Sequence, residues 1–328
     1  MKTLYFIGNG FDINHGLKTK YTDFRDWLKI NDFEIYEKIL EVYGINESDE
    51  TEQWWSNFES HLIDFDINDD IDNIINKNQI DYGSDNFHEG DRYDAAMKIE
   101  NLFTSLINKI LEVFDLWVES FKNFIFYNKM TNIDKSATFI SFNYTLTLEK
   151  LYGIPRQRVY HFHGKIGDNQ YILGHGKTDK EIHKKIEKYY APPKGLSKDE
   201  KRDWYSDNYD EALEHAKDSE ASILSSYKKD IKSIIKRNND IYEEMGDLKK
   251  IYIYGFSFSD IDNPYLEEAI KHAKNKDLLR FEVSWFKEEE KDRIRKFFYQ
   301  NNIKKSQISF IRLSDYTVNL IGNLFDYK

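Results

Sequence analysis

The sequence contains no cysteine. That absence excludes disulfides, thiolate nucleophiles and cysteine-ligated metals, and it suits a reducing compartment. Long apolar runs are missing too. No segment reaches the roughly 18 apolar residues of a membrane span, and the opening MKTLYFI is too short for a signal-peptide core. The expected location is the cytoplasm, with no membrane partner. Positive charge is in deficit, with 47 Lys and Arg against 58 Asp and Glu, a formal net charge of -11. A field of that sign opposes approach to DNA, RNA or anionic lipid, so nucleic acid is not expected as an obligate partner. The basic residues Lys184, Lys185 and Lys188 read as a solvated helix face.

What the chain does have is apolar and aromatic material: 40% hydrophobic residues, 23 Tyr and 23 Phe in 328 residues. That is enough for a substantial core. The run TLYFI (Thr3–Ile7) closes on Gly8 and Gly10 and reads as a buried strand entering a tight loop. Helical patterns follow at 21–43 and 51–65. Ile99, Leu102, Phe103, Leu106, Ile107, Ile110, Phe114 and Trp117 form a stripe at helical spacing. Trp54, Trp55 and Phe58 read as helix-packing residues. Residues 66–92 are rich in Asp, Asn and Gly and read as a loop between helices.

Strand patterns return at 137–142 and 158–162, with a short helix at 146–152 between them, and 171–173 is a further candidate. Strands at 250–254, 280–285 and 307–311 then alternate with helices. This rhythm predicts an α/β protein with a Rossmann-like, mostly parallel sheet of about five or six strands and large helical insertions. The expected core is residues 1–16 and 131–328. Residues 17–130 form one helical insertion, and 178–248 form a second within the core.

Four loops follow four of these strands. IGNGFDINHG (7–16) offers glycines that let backbone amides approach a phosphate, although the third glycine arrives too late for a dehydrogenase fingerprint. SFNYT (141–145) offers Asn143, suited to a ribose hydroxyl or a water, or else to a helix cap. HFHG (161–164) carries His161 and His163, which strand alternation would point to one side. An imidazole at that place suits a general base. Two histidines make a sparse zinc set, and no metal is expected. His175 in GHG (174–176) is another loop candidate. GFSFSD (255–260) offers Gly255 for close approach, Ser257 as a donor, and Ser259 or Asp260 as a helix cap. Together the four loops place Gly, Asn, His and Ser at the carboxyl ends of parallel strands, where open α/β sheets bind ligands.

IGNGFDINHG, WSNFESHL (55–62), FISFNYTLTLE (139–149) and HFHG together resemble the AbiH family of bacteriophage abortive-infection proteins. The likeness covers most of the chain, with the motifs in the family's order. It implies a role in phage defence, with a phage protein as trigger and self-association as partner classes. A more remote likeness is to sirtuin-like NAD-binding domains. Their phosphate loop, Asn-bearing loop, His-Gly and Gly-x-Ser segments look like Gly8 to Asp12, Asn143, His163 to Gly164, and Gly255 to Ser257. That wider group includes deacylases and NAD-cleaving defence enzymes.

The likeness implies NAD or a related nucleotide as ligand. Gly8, Asn9, Gly10, Phe11, Gly164, Gly255 and Ser257 would cradle it, with Asn143, His163 and Asp12 carrying out hydrolysis of an N-glycosidic bond. Two positions depart from the sirtuin pattern: Asp12 stands where that pattern has Ser, and Thr145 where it has Asp. The zinc module of deacetylating sirtuins cannot exist without cysteine. The alternatives are a non-catalytic nucleotide-sensing or protein-interaction module, and a metal-dependent hydrolase using His161, His163 and Asp12.

Overall fold

The computed structural model describes residues 1–320 except 47–49, 65–72, 75, 76, 78–82, 169, 170 and 210. Most of the loop expected at 66–92 lies outside the described residues. Its end is described, and it turns into a short 3-10 helix at Glu89–Tyr93.

The chain divides into two compact units. The first comprises Met1–Trp27, Phe114–Leu173 and Asp230–Lys328, and the second Leu28–Val113 and Gly174–Lys229. The first unit carries a six-stranded sheet: β1 (Thr3–Ile7), β2 (Thr138–Ser141), β3 (Val159–His161), β4 (Lys250–Tyr254), β5 (Arg280–Ser284) and β6 (Ile308–Ile311). All neighbours are parallel, in the order β3-β2-β1-β4-β5-β6. The expected α/β architecture with a Rossmann-like parallel sheet is therefore present, and the order reverses between β1 and β4, the switch point of dinucleotide-binding sheets. No strand forms at 171–173. Instead, single bonds tie this stretch down, with Ile172 N donating to His163 O at 2.9 Å and Tyr144 Oη to Ile172 O at 3.1 Å. Asn128–Met130 and Thr317–Asn319 add a small antiparallel ribbon.

The inner strands β1, β2, β4 and β5 are largely buried on both faces, which is why they read as near-continuous apolar runs, whereas the edge strands β3 and β6 are more open. Leu4, Phe6, Ile140, Ile251, Ile253, Phe281 and Val283 point to one core. The helices Asn263–His272 and Glu290–Gln300 cover that core with Tyr265, Leu266, Ile294, Phe297 and Phe298. Tyr5, Ile7, Phe139, Val159 and Tyr254 point the other way, against Phe11, Leu148 and Tyr152. Each such large side chain stabilises the fold by about 1.5–3 kcal/mol through burial. The chain re-enters this unit at Asp230, and Ile234, Ile241 and Tyr242 join the first core.

Among the described residues, the regular elements of the second unit are helices, joined by loops and one isolated bridge between His175 and Lys228. Phe33–Val42 begins at Asp32, whose carboxylate accepts from Ile35 N at 3.2 Å, so the pattern read across 21–43 breaks there into two helices. Trp55 stacks on Phe58 at 5.3 Å with both side chains buried, the packing role expected of them. Lys185 pairs with Asp64 at 3.0 Å, while Lys184 and Lys188 are exposed. Among the described residues no helix is long and apolar enough to cross a membrane.

Candidate functional site

Because all six strands run parallel, the loops following β1, β2, β3 and β4 emerge on one edge of the sheet. The β1 and β4 loops touch each other directly. Gly10 N donates to Gly255 O at 3.0 Å, and Phe11 N turns back to Gly8 O at 2.9 Å. A Cβ on Gly8 would lie 2.5 Å from Gly255 O, and one on Gly10 would lie 2.8 Å from Gly255 Cα. The immediate physical reason for these glycines is backbone contact between the two loops, and the Gly10 and Phe11 amides are spent within the chain. Asn9 is exposed, its side chain closed on Thr19 through bonds of 2.7 and 2.6 Å. Phe11 is fully buried against His15.

Asp12, expected at the ligand, is sealed at 1% exposure. Thr145 Oγ1 donates to its Oδ2 at 2.5 Å and Thr147 Oγ1 to its Oδ1 at 2.7 Å. Burial pushes the carboxyl up to about 6, while the Thr145, Thr147 and Asn143 side chains pull it back. Asp12 is therefore a buried positioning residue that orients Thr145 and Thr147.

Three residues on, His15 is wholly buried between Phe11 O and Tyr152 Oη, each at 2.6 Å. Met130 N donates to Tyr152 Oη, leaving the phenol proton for His15 Nε2. Burial depresses the imidazole to about 4.

Asn143 is not a cap, since the helix Thr147–Tyr152 begins at Leu146. Its Nδ2 donates to Gly8 O at 3.1 Å, which fixes the amide orientation. Its Oδ1 is buried and accepts no hydrogen bond among the described residues. The chain neighbour Phe142 packs edge-on to the His163 ring at 5.1 Å.

The two histidines of HFHG part company, contrary to the alternation rule. The strand ends at His161 and the chain turns, so the period of two stops there. His161 places Nε2 2.9 Å from Glu149 Oε1 and Nδ1 3.1 Å from Asn143 O. Both ring nitrogens are thus directed at oxygens of the protein itself, so neither is turned to an open site. His163 instead lies against Phe142 and Tyr265, with Nε2 3.8 Å from Asp262 Oδ1. Gly164 follows at φ 86° to make the turn. Among the described residues no three His, Cys, Asp or Glu side chains cluster as a metal site. His175, in the second unit, is buried and satisfied by backbone, with Nε2 on Leu224 O at 2.7 Å and Nδ1 accepting from Lys177 N at 3.1 Å.

In the β4 loop Ser257 is exposed and accepts from Ser259 N at 3.3 Å. The N-cap of Asn263–His272 is Asp262, rather than Ser259 or Asp260. Its carboxylate caps none of its own helix's amides. It takes Ser259 Oγ at 3.2 Å and turns its other oxygen to His163. The residues that sequence reading passed over are thus Thr147, Glu149 and Asp262. Thr147 and Glu149 lie in the quoted FISFNYTLTLE. Asp262 precedes Asn263 and Pro264, and an acid just ahead of a proline at the first helical turn is a helix-start signal.

No curated protein and no solved structure matches the chain. A protein-family comparison does. Residues 4–285, which include β1 to β4 with their loops and β5, match the family described as "Bacteriophage abortive infection AbiH", and the chain belongs to that family.

Proposed function

We propose that this abortive-infection protein binds NAD or a related nucleotide at the carboxyl edge of its sheet and hydrolyses the N-glycosidic bond. The observation that carries the reading is Asn143. A buried carbonyl oxygen without a donor costs about 1–3 kcal/mol, and a ribose hydroxyl or an attacking water supplies the missing donor. Its orientation is locked by Gly8 O, and the His163–Asp262 pair stands at the end of the adjacent strand.

In this reading the bond between ribose C1′ and the nicotinamide nitrogen breaks, and its electron pair leaves with nicotinamide. Water oxygen attacks C1′, and His163 takes the water's proton, the Asp262 carboxylate 3.8 Å from its Nε2 stabilising the imidazolium that forms. The sirtuin likeness gains support from its two departures. Asp12 and Thr145 are hydrogen-bonded to each other, so together they amount to one exchange of carboxylate and hydroxyl between touching loops.

Purified protein is incubated with NAD, with and without lysate of infected cells, and nicotinamide is measured by chromatography. Release is expected from the wild type, and His163→Ala should lower the rate by about a hundredfold or more, the size of a lost general base. NAD that binds saturably and is recovered intact would replace hydrolysis with nucleotide sensing. No binding at all would remove the nucleotide from the proposal.

A further inference from the structure

The other half of the same sheet edge carries a cation–aromatic cluster that the hydrolytic site does not use. Trp285 directly follows β5, and its N donates to Ile311 O at the end of β6. Arg312 follows β6, and its guanidinium carbon lies 4.2 Å from the indole centroid. Lys291 Nζ, from the helix Glu290–Gln300, lies 3.6 Å from the same ring, its side chain only 16% exposed. Two cations on one indole concentrate positive charge there, offset in part by Glu288 beside Lys291, and an anion at Arg312 supplies the counter-charge that side lacks.

The nearby acids are already engaged. Glu288 pairs with Lys291 at 2.9 Å, Asp292 with Arg295 at 2.9 Å, and Glu290 accepts from Phe286 N at 2.9 Å. Arg312 has no carboxylate partner and no side-chain hydrogen bond among the described residues. Arg312 is exposed at the end of β6, and its guanidinium carries the five donors that bind phosphate in a bidentate manner. Three strand spacings of ~4.8 Å separate the ends of β2 and β5, about 14 Å, which suits an extended ligand crossing the switch point rather than a single nucleoside.

We propose that Arg312 and Lys291, mounted on Trp285, form a phosphate subsite that selects ligands bearing a 5′-diphosphate. The inference rests on the nucleotide reading above for the identity of the ligand, and on the β5–β6 edge alone for its phosphate chemistry. Trp285 is the last residue of the matched region 4–285, and Lys291 and Arg312 lie beyond it.

The test titrates the full chain calorimetrically with ADP, inorganic pyrophosphate, adenosine and a short single-stranded oligonucleotide. ADP and pyrophosphate should bind, and adenosine should bind far more weakly. Arg312→Gln should weaken ADP by about tenfold or more, the loss of one charge-assisted pair, and Arg312→Lys should fall between. ADP affinity unchanged in Arg312→Gln, ADP no better than adenosine, or oligonucleotide bound more tightly than ADP would each overturn the subsite. Arg312-dependent ADP binding without nicotinamide release from NAD would keep the subsite and drop the hydrolase. Nicotinamide release with KM unchanged in Arg312→Gln would keep the hydrolase and drop the subsite.

Discussion

Replacing Gly255 with alanine is expected to leave little folded protein. Gly255 sits at φ 66°, where an L-residue is strained, and its added Cβ would lie 2.0 Å from Phe11 N and 2.5 Å from Gly10 C. Both neighbours are backbone atoms and cannot rotate aside. Nor can the helix Asn9–Asn14 retreat, because Phe11 is fully buried and Gly10 N is bonded to Gly255 O. Left-handed strain costs about 1 kcal/mol and overpacking against rigid backbone adds 3 or more, so the total passes roughly 4 kcal/mol. That is a large share of the 5–15 kcal/mol that holds a typical domain together.

Gly16→Ala is the control: Gly16 has φ 89° but nothing within 4 Å of the added Cβ. It should lose only the conformational part, about 1 kcal/mol. Urea unfolding of both variants checks this, and equal losses at the two positions would refute the contact argument.

The second large effect is electrostatic, and in the wild type it is hidden. Asp12 is raised from 3.8 to about 6 by burial. Between those values the folded state holds a proton that the unfolded chain has released. Stability from this group is therefore full below pH 3.8 and is lost as pH rises through 6. His15 is depressed from 6.5 to about 4, again by burial. The unfolded chain binds the extra proton there, so stability is full above pH 6.5 and is lost as pH falls through 4. The two contributions oppose each other across pH 4–6.

Asp12→Asn removes one of them and preserves the local bonding. The amide oxygen accepts from Thr147, the amide nitrogen donates to Thr145, and the Thr145 proton passes to Thr147 Oγ1 at 3.1 Å. Relative to wild type, the variant should gain stability from pH 4 to pH 6 on the order of 3 kcal/mol. Urea titrations at half-unit steps measure the difference curve, and a flat curve would show that Asp12 does not hold its proton in the fold.

How much of this was legible beforehand depended on distance along the chain. TLYFI, FISF and KIYIY appear as strands because a strand buried on both faces is a continuous apolar run, and its boundary is marked by the glycine or asparagine that follows. The stripe from Ile99 to Trp117 falls inside the helix Asp94–Glu119 because 3.6-residue spacing is a local property. The resemblance to the abortive-infection family likewise rests on contiguous motifs.

Other features were not legible. His161 and His163 are two residues apart, yet where the strand stops between them is set by pairing with β2 and not by their own identities. The bond from Asp12 to Thr145 joins positions 133 residues apart. Asp262 reads as a helix start, and only the placement of β3 beside β2 and of helix Asn263–His272 over the same core makes its carboxylate a partner for His163.

Composition, periodicity and turn chemistry thus determined the class of fold, the strands and the loops worth watching, since each is written in adjacent residues. The tertiary structure alone decided that the glycines meet each other, that Asp12 is a buried strut and that His163 keeps a carboxylate. Those outcomes follow from strand order and register, which are settled by the packing of the whole sheet and by no local stretch of chain.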